Sequence, residues 1–166
     1  FFAFPFLGMI PVIGKDILHL EPSLIGVLAA ADGCGALFGA IVVAVFAQSV
    51  YYRRIFVIGS TVVLVAVFLF SLSGVFGLSV SVLLIGGLGL AGFGTMQSTR
   101  ILVETPASIR GRVLGILTRC IGTMPIGMRV VGLIADWFGA ARAISVMTLC
   151  GMAVLTAVLV HWREMR

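Results

Sequence analysis

Charge is scarce in this chain: 10% of its 166 residues are Asp, Glu, Lys or Arg. Soluble domains carry about 25%, so no fully water-facing surface can be built from it. The net charge of +5 does not form a nucleic-acid patch, and no nucleic-acid partner is expected. The arginines sit in short loops at the ends of apolar runs, where anionic lipid head groups would meet them. Cysteine is sparse as well. Cys34, Cys120 and Cys150 are odd in number and lack any C-x-x-C spacing, which argues against a disulfide framework and a zinc site. Their expected role is that of small apolar packing residues. His19 and His161 stand at the ends of apolar runs with no metal-ligand spacing between them. No metal or cofactor is expected. There is no H-E-x-x-H, no G-x-S-x-G, no phosphate-cradling G-x-x-x-x-G-K-[ST] and no acid pair at working distance, so catalysis is not expected either. A charged n-region and an A-x-A-like site are also missing, which leaves no recognisable signal peptide.

What the chain has is apolar runs. Five complete ones cover Ser23–Ala47, Ile55–Leu72, Ser79–Thr99, Val113–Ala135 and Ala143–Val160, and an incomplete one covers Phe1–Ile13. A helix crosses a bilayer core with about 20 apolar residues. Unpaired backbone groups are not tolerated there, so the runs must be helices. The expected fold is an all-α polytopic membrane protein forming one transmembrane domain over 1–166. Its spans fall near 1–14, 23–47, 55–72, 79–99, 113–135 and 143–160. The first run would rise only ~20 Å at 1.5 Å per residue, short of the ~30 Å core. The chain opens within an apolar run and without Met. The expectation is therefore a fragment whose N-terminal part, and with it the start of the first span, is missing.

The loop cations are lopsided. Arg53, Arg54, Arg100, Arg110, Arg112, Arg163 and Arg166 fall on one side, against Lys15 and Arg142 on the other. By the positive-inside rule the first side is cytoplasmic. The C-terminal tail His161–Arg166 then lies inside, in a multi-pass protein of the cytoplasmic membrane. Tyr51, Tyr52, Trp137 and Trp162 fall at run ends, where an interfacial aromatic belt sits.

Within the spans, small residues and a few polar groups stand out. Gly35 and Gly39 form a G-x-x-x-G, and Gly86, Gly87, Gly89, Gly92 and Gly94 crowd the 79–99 span. Such residues let helix backbones approach closely. They also give faces on which helices can slide. Pro125, within Gly122–Gly127, should kink or break its span, and interrupted spans often border a transport cavity. Asp32 lies ~13 Å below the outer end of its span and Arg119 ~10 Å above the inner end of another. Arg129 is close to the outer end. An isolated charge at mid-membrane costs at least ~2.5–3.5 kcal/mol. Pairing or a water-filled cavity would relieve that cost. Asp32 reads as a proton carrier or counter-charge, or as a structural acid paired with an arginine or hydrogen-bonded to a neighbouring helix. Arg119 reads as a cavity residue facing an anionic substrate or Asp32, and Arg129 as snorkelling or pathway-lining. Gln97, with Thr95 and Thr99, either bonds between helices or lines the cytoplasmic mouth.

The loop Glu104-Thr-Pro-Ala-Ser-Ile-Arg110-Gly111-Arg112-Val-Leu-Gly115 is legible on its own. Pro106 ends one helix, and Ser108 is placed to cap the next. Arg110 and Arg112 can meet lipid phosphate, Glu104 or the C-terminal carbonyls of another helix. They either hold a cytoplasmic gate or simply keep the loop inside. The same stretch resembles the P-x-x-x-R-G-R-V-x-G motif of the major facilitator superfamily, in its enterobactin-exporter-like, drug-exporter branch. Gly132-Leu-Ile-Ala-Asp136-Trp-Phe-Gly139-Ala-Ala-Arg142 is similar to the superfamily's G-x-x-x-D-x-x-G-x-x-R signature. The loop Gln48–Arg54 departs from the family pattern, lacking the Asp and paired glycines of its best-known cytoplasmic motif. The resemblance covers essentially the whole chain. It implies the C-terminal six-helix half of a twelve-helix carrier, with the missing N-terminal half, the bilayer and a small-molecule substrate as partners. The implied function is secondary active transport by alternating access, as an efflux permease drawing on the proton gradient. The rival is a non-transporting scaffold or assembly subunit. A channel would need a polar stripe along a helix, and only isolated polar clusters are present.

Overall fold

The computed structural model describes residues 2–47 and 49–161. The expectations for Trp162, Arg163 and Arg166 concern residues outside these. The described residues form α1 (Phe6–Asp16), α2 (Pro22–Phe46), α3 (Tyr52–Leu72), α4 (Phe76–Glu104), α5 (Ala107–Ile121), α6 (Met124–Phe138) and α7 (Ala140–His161). A single 3-10 turn, Ser49–Tyr51, leads into α3. Four of these helices, together with the α5–α6 run of 32 residues taken as one, are long and apolar enough to cross a membrane. The fold is an all-α polytopic bundle.

Local chemistry sets the ends of the elements. Pro22 opens α2 at a position whose N–H would have no partner in any case. α4 is 29 residues long and continues past the apolar run to Glu104. It stops at Thr105, whose extended backbone (φ −99°, ψ 130°) is the conformation that the following Pro106 enforces. Ser108 does not cap α5, contrary to the sequence reading. Pro106 holds the cap position with no side-chain cap bond, and Ser108 already lies inside the helix. The proline's fixed φ starts the helix ahead of the serine. Between α6 and α7 the chain turns at Gly139, at φ +87° and ψ 153°, a region essentially restricted to glycine.

α4 lies between α2 and α3; α7 packs on α3, α6 on α7, and α1 touches both α2 and α7. Glycine makes the two α4 crossings possible. A Cβ on Gly35 would collide with the Leu84 carbonyl, and one on Gly87 with the carbonyl of Asp32. On the other face, a Cβ on Gly59 would come within 2.8 Å of the Gly89 carbonyl. The helices thus meet backbone to backbone, which is how dispersion holds helices together where lipid offers no hydrophobic drive. Ser71 Oγ and Ser145 Oγ, 2.8 Å apart, tie α3 to α7, and the Ser73 and Ser79 hydroxyls bond across the start of the α3–α4 hairpin.

The surface is apolar, with Leu37, Phe38, Phe46, Leu133 and Trp137 all exposed. A lipid-facing bundle requires this. Cys34, Cys120 and Cys150 are exposed too, correcting the expectation that they pack inside. A thiol is apolar enough to sit on an outer face, so composition could not distinguish the two. α5 has no buried residue.

Candidate functional site

The span holding α5 and α6 is interrupted at Gly122–Thr123, two residues before Pro125. Pro125 itself occupies the first turn of α6, where a missing N–H does no harm. The break is locally satisfied. Gly122 N donates to the Thr118 carbonyl at 2.9 Å and Thr123 N to that of Cys120 at 3.2 Å. Thr123 Oγ1 donates to the same Cys120 carbonyl at 2.7 Å.

Opposite the break runs the polar end of α4. Thr99 turns its hydroxyl back to the Thr95 carbonyl. Gln97 and Ser98 have no such outlet, and neither side chain has a hydrogen-bond partner among the described residues. Between α4 and the break lies a cavity of about 490 Å³, lined by Gln97, Ser98, Cys120, Thr123, Met124 and Phe93 among others. Gln97 was read from the sequence. Cys120, Thr123, Met124 and Phe93 were not, although Gly122-Thr-Met-Pro carried the signal for two of them.

Asp32 lies elsewhere. It is 7% exposed, in a narrow crevice with Phe6, Val63, Ala66, Leu83 and Leu90. Its Oδ1 has no hydrogen-bond partner among the described residues. Burying an unpaired carboxylate is costly, and a bound proton or an approaching cation would remove that cost. No ion pair joins Asp32 to Arg119 among the described residues. Arg119 is exposed on α5 and Arg129 exposed on α6. The similar depths of Asp32 and Arg119 say nothing of the direction in which each side chain leaves its helix. Gly35 and Gly39, by contrast, stand where α2 meets α4: a Cβ on Gly39 would lie 2.9 Å from the Leu88 Cα.

In the last turn of α4, just past its polar run, Arg100 holds Glu104 with two bonds, Nε to Oε1 at 3.0 Å and Nη2 to Oε2 at 3.1 Å. Its guanidinium also sits 5.9 Å from the centre of the Phe56 ring on α3. The Arg100–Glu104 spacing of four was a readable helix pair. Arg110 therefore does not pair with Glu104. Its Nη2 donates to the Thr105 carbonyl at 3.3 Å, which crosses from α5 to the end of α4, and its Nε is buried without a partner among the described residues. Gly111 and Arg112 are exposed on the first turns of α5.

A family model described as transmembrane secretion effector matches residues 1–165. Neither the curated proteins nor the solved structures provide a match. The match takes in all seven helices, the broken span and the glycine-packed α2–α4 crossing, and the chain belongs to this family of major facilitator transporters.

Proposed function

We propose that the protein is a proton-coupled secondary transporter, an efflux permease of the enterobactin-exporter-like, drug-exporter branch, working by alternating access in the cytoplasmic membrane. The chain supplies the C-terminal six-helix half, its C-terminus is cytoplasmic, and the N-terminal half of the carrier completes the pathway. The observation that carries the coupling is Asp32, a buried acid with an unpartnered oxygen. It sits where the Gly87 backbone closes on its own carbonyl. A carboxyl in this position gains and loses a proton at a cost that depends on how tightly the crevice is shut, so helix movement at the α2–α4 crossing changes its hold on the proton.

The interrupted span and the cavity beside it supply the substrate path, as broken helices do in carriers generally. On the cytoplasmic side, Arg110 on the Thr105 carbonyl joins α5 to the end of α4 and is a contact that one state makes and the other breaks. Glu104, Arg110, Gly111 and Arg112 form this gate.

The test is gradient-driven movement of a cationic dye and of an anionic catecholate in inverted vesicles carrying the protein. Accumulation of either probe that collapses with a protonophore supports export. Absence of gradient-dependent movement for a wide probe panel, with the protein present and folded, assigns it instead to a scaffold or assembly role.

A further inference from the structure

The Asp32 crevice is not closed alike on all sides. Towards α4 the Gly87 backbone presses on the Asp32 carbonyl, and a Cβ on Gly86 would stand 3.1 Å from the Ala66 Cβ of α3. Past Ala66 lies a groove bordered by the exposed Val65, Leu69 and Ile85, a face that lipid covers in a membrane. On another side, Val63 and Leu90 line both the crevice and a second cavity of about 290 Å³. That cavity in turn shares Phe4 and Phe93 with the 490 Å³ cavity beside the broken span. The three spaces stand in series. Gln97, Phe93 and Leu90 follow one another at about one turn on one face of α4, and Phe56, Ser60 and Val63 do so on α3. From Gln97 to Leu90 the line rises ~10 Å. It starts near the end of α4 that carries Arg100 and Glu104, the side proposed as cytoplasmic.

Polarity changes along the line. Gln97, Ser98 and Thr123 give the first cavity groups that hold water. Among the described residues, the second has one side-chain hydroxyl, Ser60, and this already donates to the Phe56 carbonyl at 2.7 Å. Its other side chains are apolar, and a cavity so lined stays dry. Asp32 is the only Asp, Glu, Lys, Arg or His of the described residues on the crevice or on either cavity, and the Cys120 thiol in the first is the one other titratable group.

We infer that this line is the route between Asp32 and water on the cytoplasmic side, and that Val63 and Leu90 seal it by keeping the second cavity dry. This rests on the proton-coupling reading of Asp32 and names the route its proton takes. While the cavity is dry, a proton on Asp32 has no water to pass to. When α3 and α4 part at this face, water enters from the Gln97 end. The carboxyl then gives its proton to a water molecule, and a carboxylate and a hydronium ion result. The hydronium ion leaves along the same water towards Gln97. Apolar constrictions gate ion pathways by dewetting. Here the device stops protons from slipping through a carrier whose helices have not moved.

The experiment follows the Asp32 carboxyl by infrared spectroscopy, with the full-length protein reconstituted in vesicles. Its C=O band is the one that Asp32→Asn removes. After a jump into D2O the band shifts as deuterium replaces the proton, at a rate set by water reaching the crevice. Wild type should exchange slowly. Val63→Thr keeps the side chain's shape and adds a hydroxyl, and Leu90→Asn adds an amide. Each should speed the exchange about tenfold or more, because a polar wall makes wetting easier. Leu90→Ile, and Ala66→Ser on the groove side, should leave it slow. Wild-type exchange as fast as that of Val63→Thr and Leu90→Asn would overturn the seal and leave Asp32 as a proton site. So would an equal acceleration by Ala66→Ser. A carboxyl band missing at every pH would remove the proton-coupling reading, and the seal with it.

Discussion

Two glycines of one motif have opposite duties. Gly139 turns the chain at φ +87°, with nothing within 4 Å of where its Cβ would stand. Its constraint is backbone strain and not crowding. Gly139→Ala should lower stability by about 1–3 kcal/mol. Gly132 lies inside α6, also facing open space, and Gly132→Ala should leave stability equal or higher by up to ~1 kcal/mol. Thermal unfolding in detergent separates the two. The charged residues divide in the same manner. The Arg100–Glu104 pair is surface-exposed on the carboxylate side, so Glu104→Gln should cost no more than about 0.5 kcal/mol. Asp32 has no hydrogen-bond partner to lose among the described residues, and Asp32→Asn should leave the midpoint of unfolding unchanged within error.

Between elements, the tightest constraint is at α2 and α4. Gly87→Ala pushes a methyl into the Asp32 carbonyl and should destabilise by about 1–3 kcal/mol, the usual range for overpacking. Gly33→Ala, one residue past Asp32 on an open face, should be tolerated; a common unfolding midpoint for these two variants would refute the backbone-to-backbone crossing. The sequence showed that Gly35 and Gly39 make a small-residue face, but not that Gly87 receives it, because a spacing along one helix does not name the helix across from it. Spans were legible from length and apolarity, and the interruption near Pro125 from the ring's missing N–H. The break itself falls upstream, since proline suits the first turn of the following helix. Burial was the least legible property. Asp32 and Arg119 share a depth but not a direction, and cysteine sits as readily against lipid as in a core. For that reason Gln97 could be read as a site residue while Cys120 and Phe93 could not.

The molecule as a whole is apolar outside, joined at its centre through α4, and carries a broken span at its edge. As a family member it is a multi-pass membrane protein of transporter type. The proposed orientation makes a direct prediction. A cysteine placed at Ser108 should react with an impermeant maleimide from the cytoplasmic face, and one placed at Gly74 from the opposite face. The reverse pattern would invert the gate. Coupling is the central claim, and comparing two transport modes of Asp32→Asn tests it most directly. In vesicles, gradient-driven uptake and gradient-free exchange of one substrate are measured side by side. Loss of driven uptake with exchange retained is the predicted result, because a missing proton site uncouples the carrier without blocking its cavity. Driven uptake at the wild-type rate in Asp32→Asn, at equal protein level, would contradict the account and make Asp32 a structural acid.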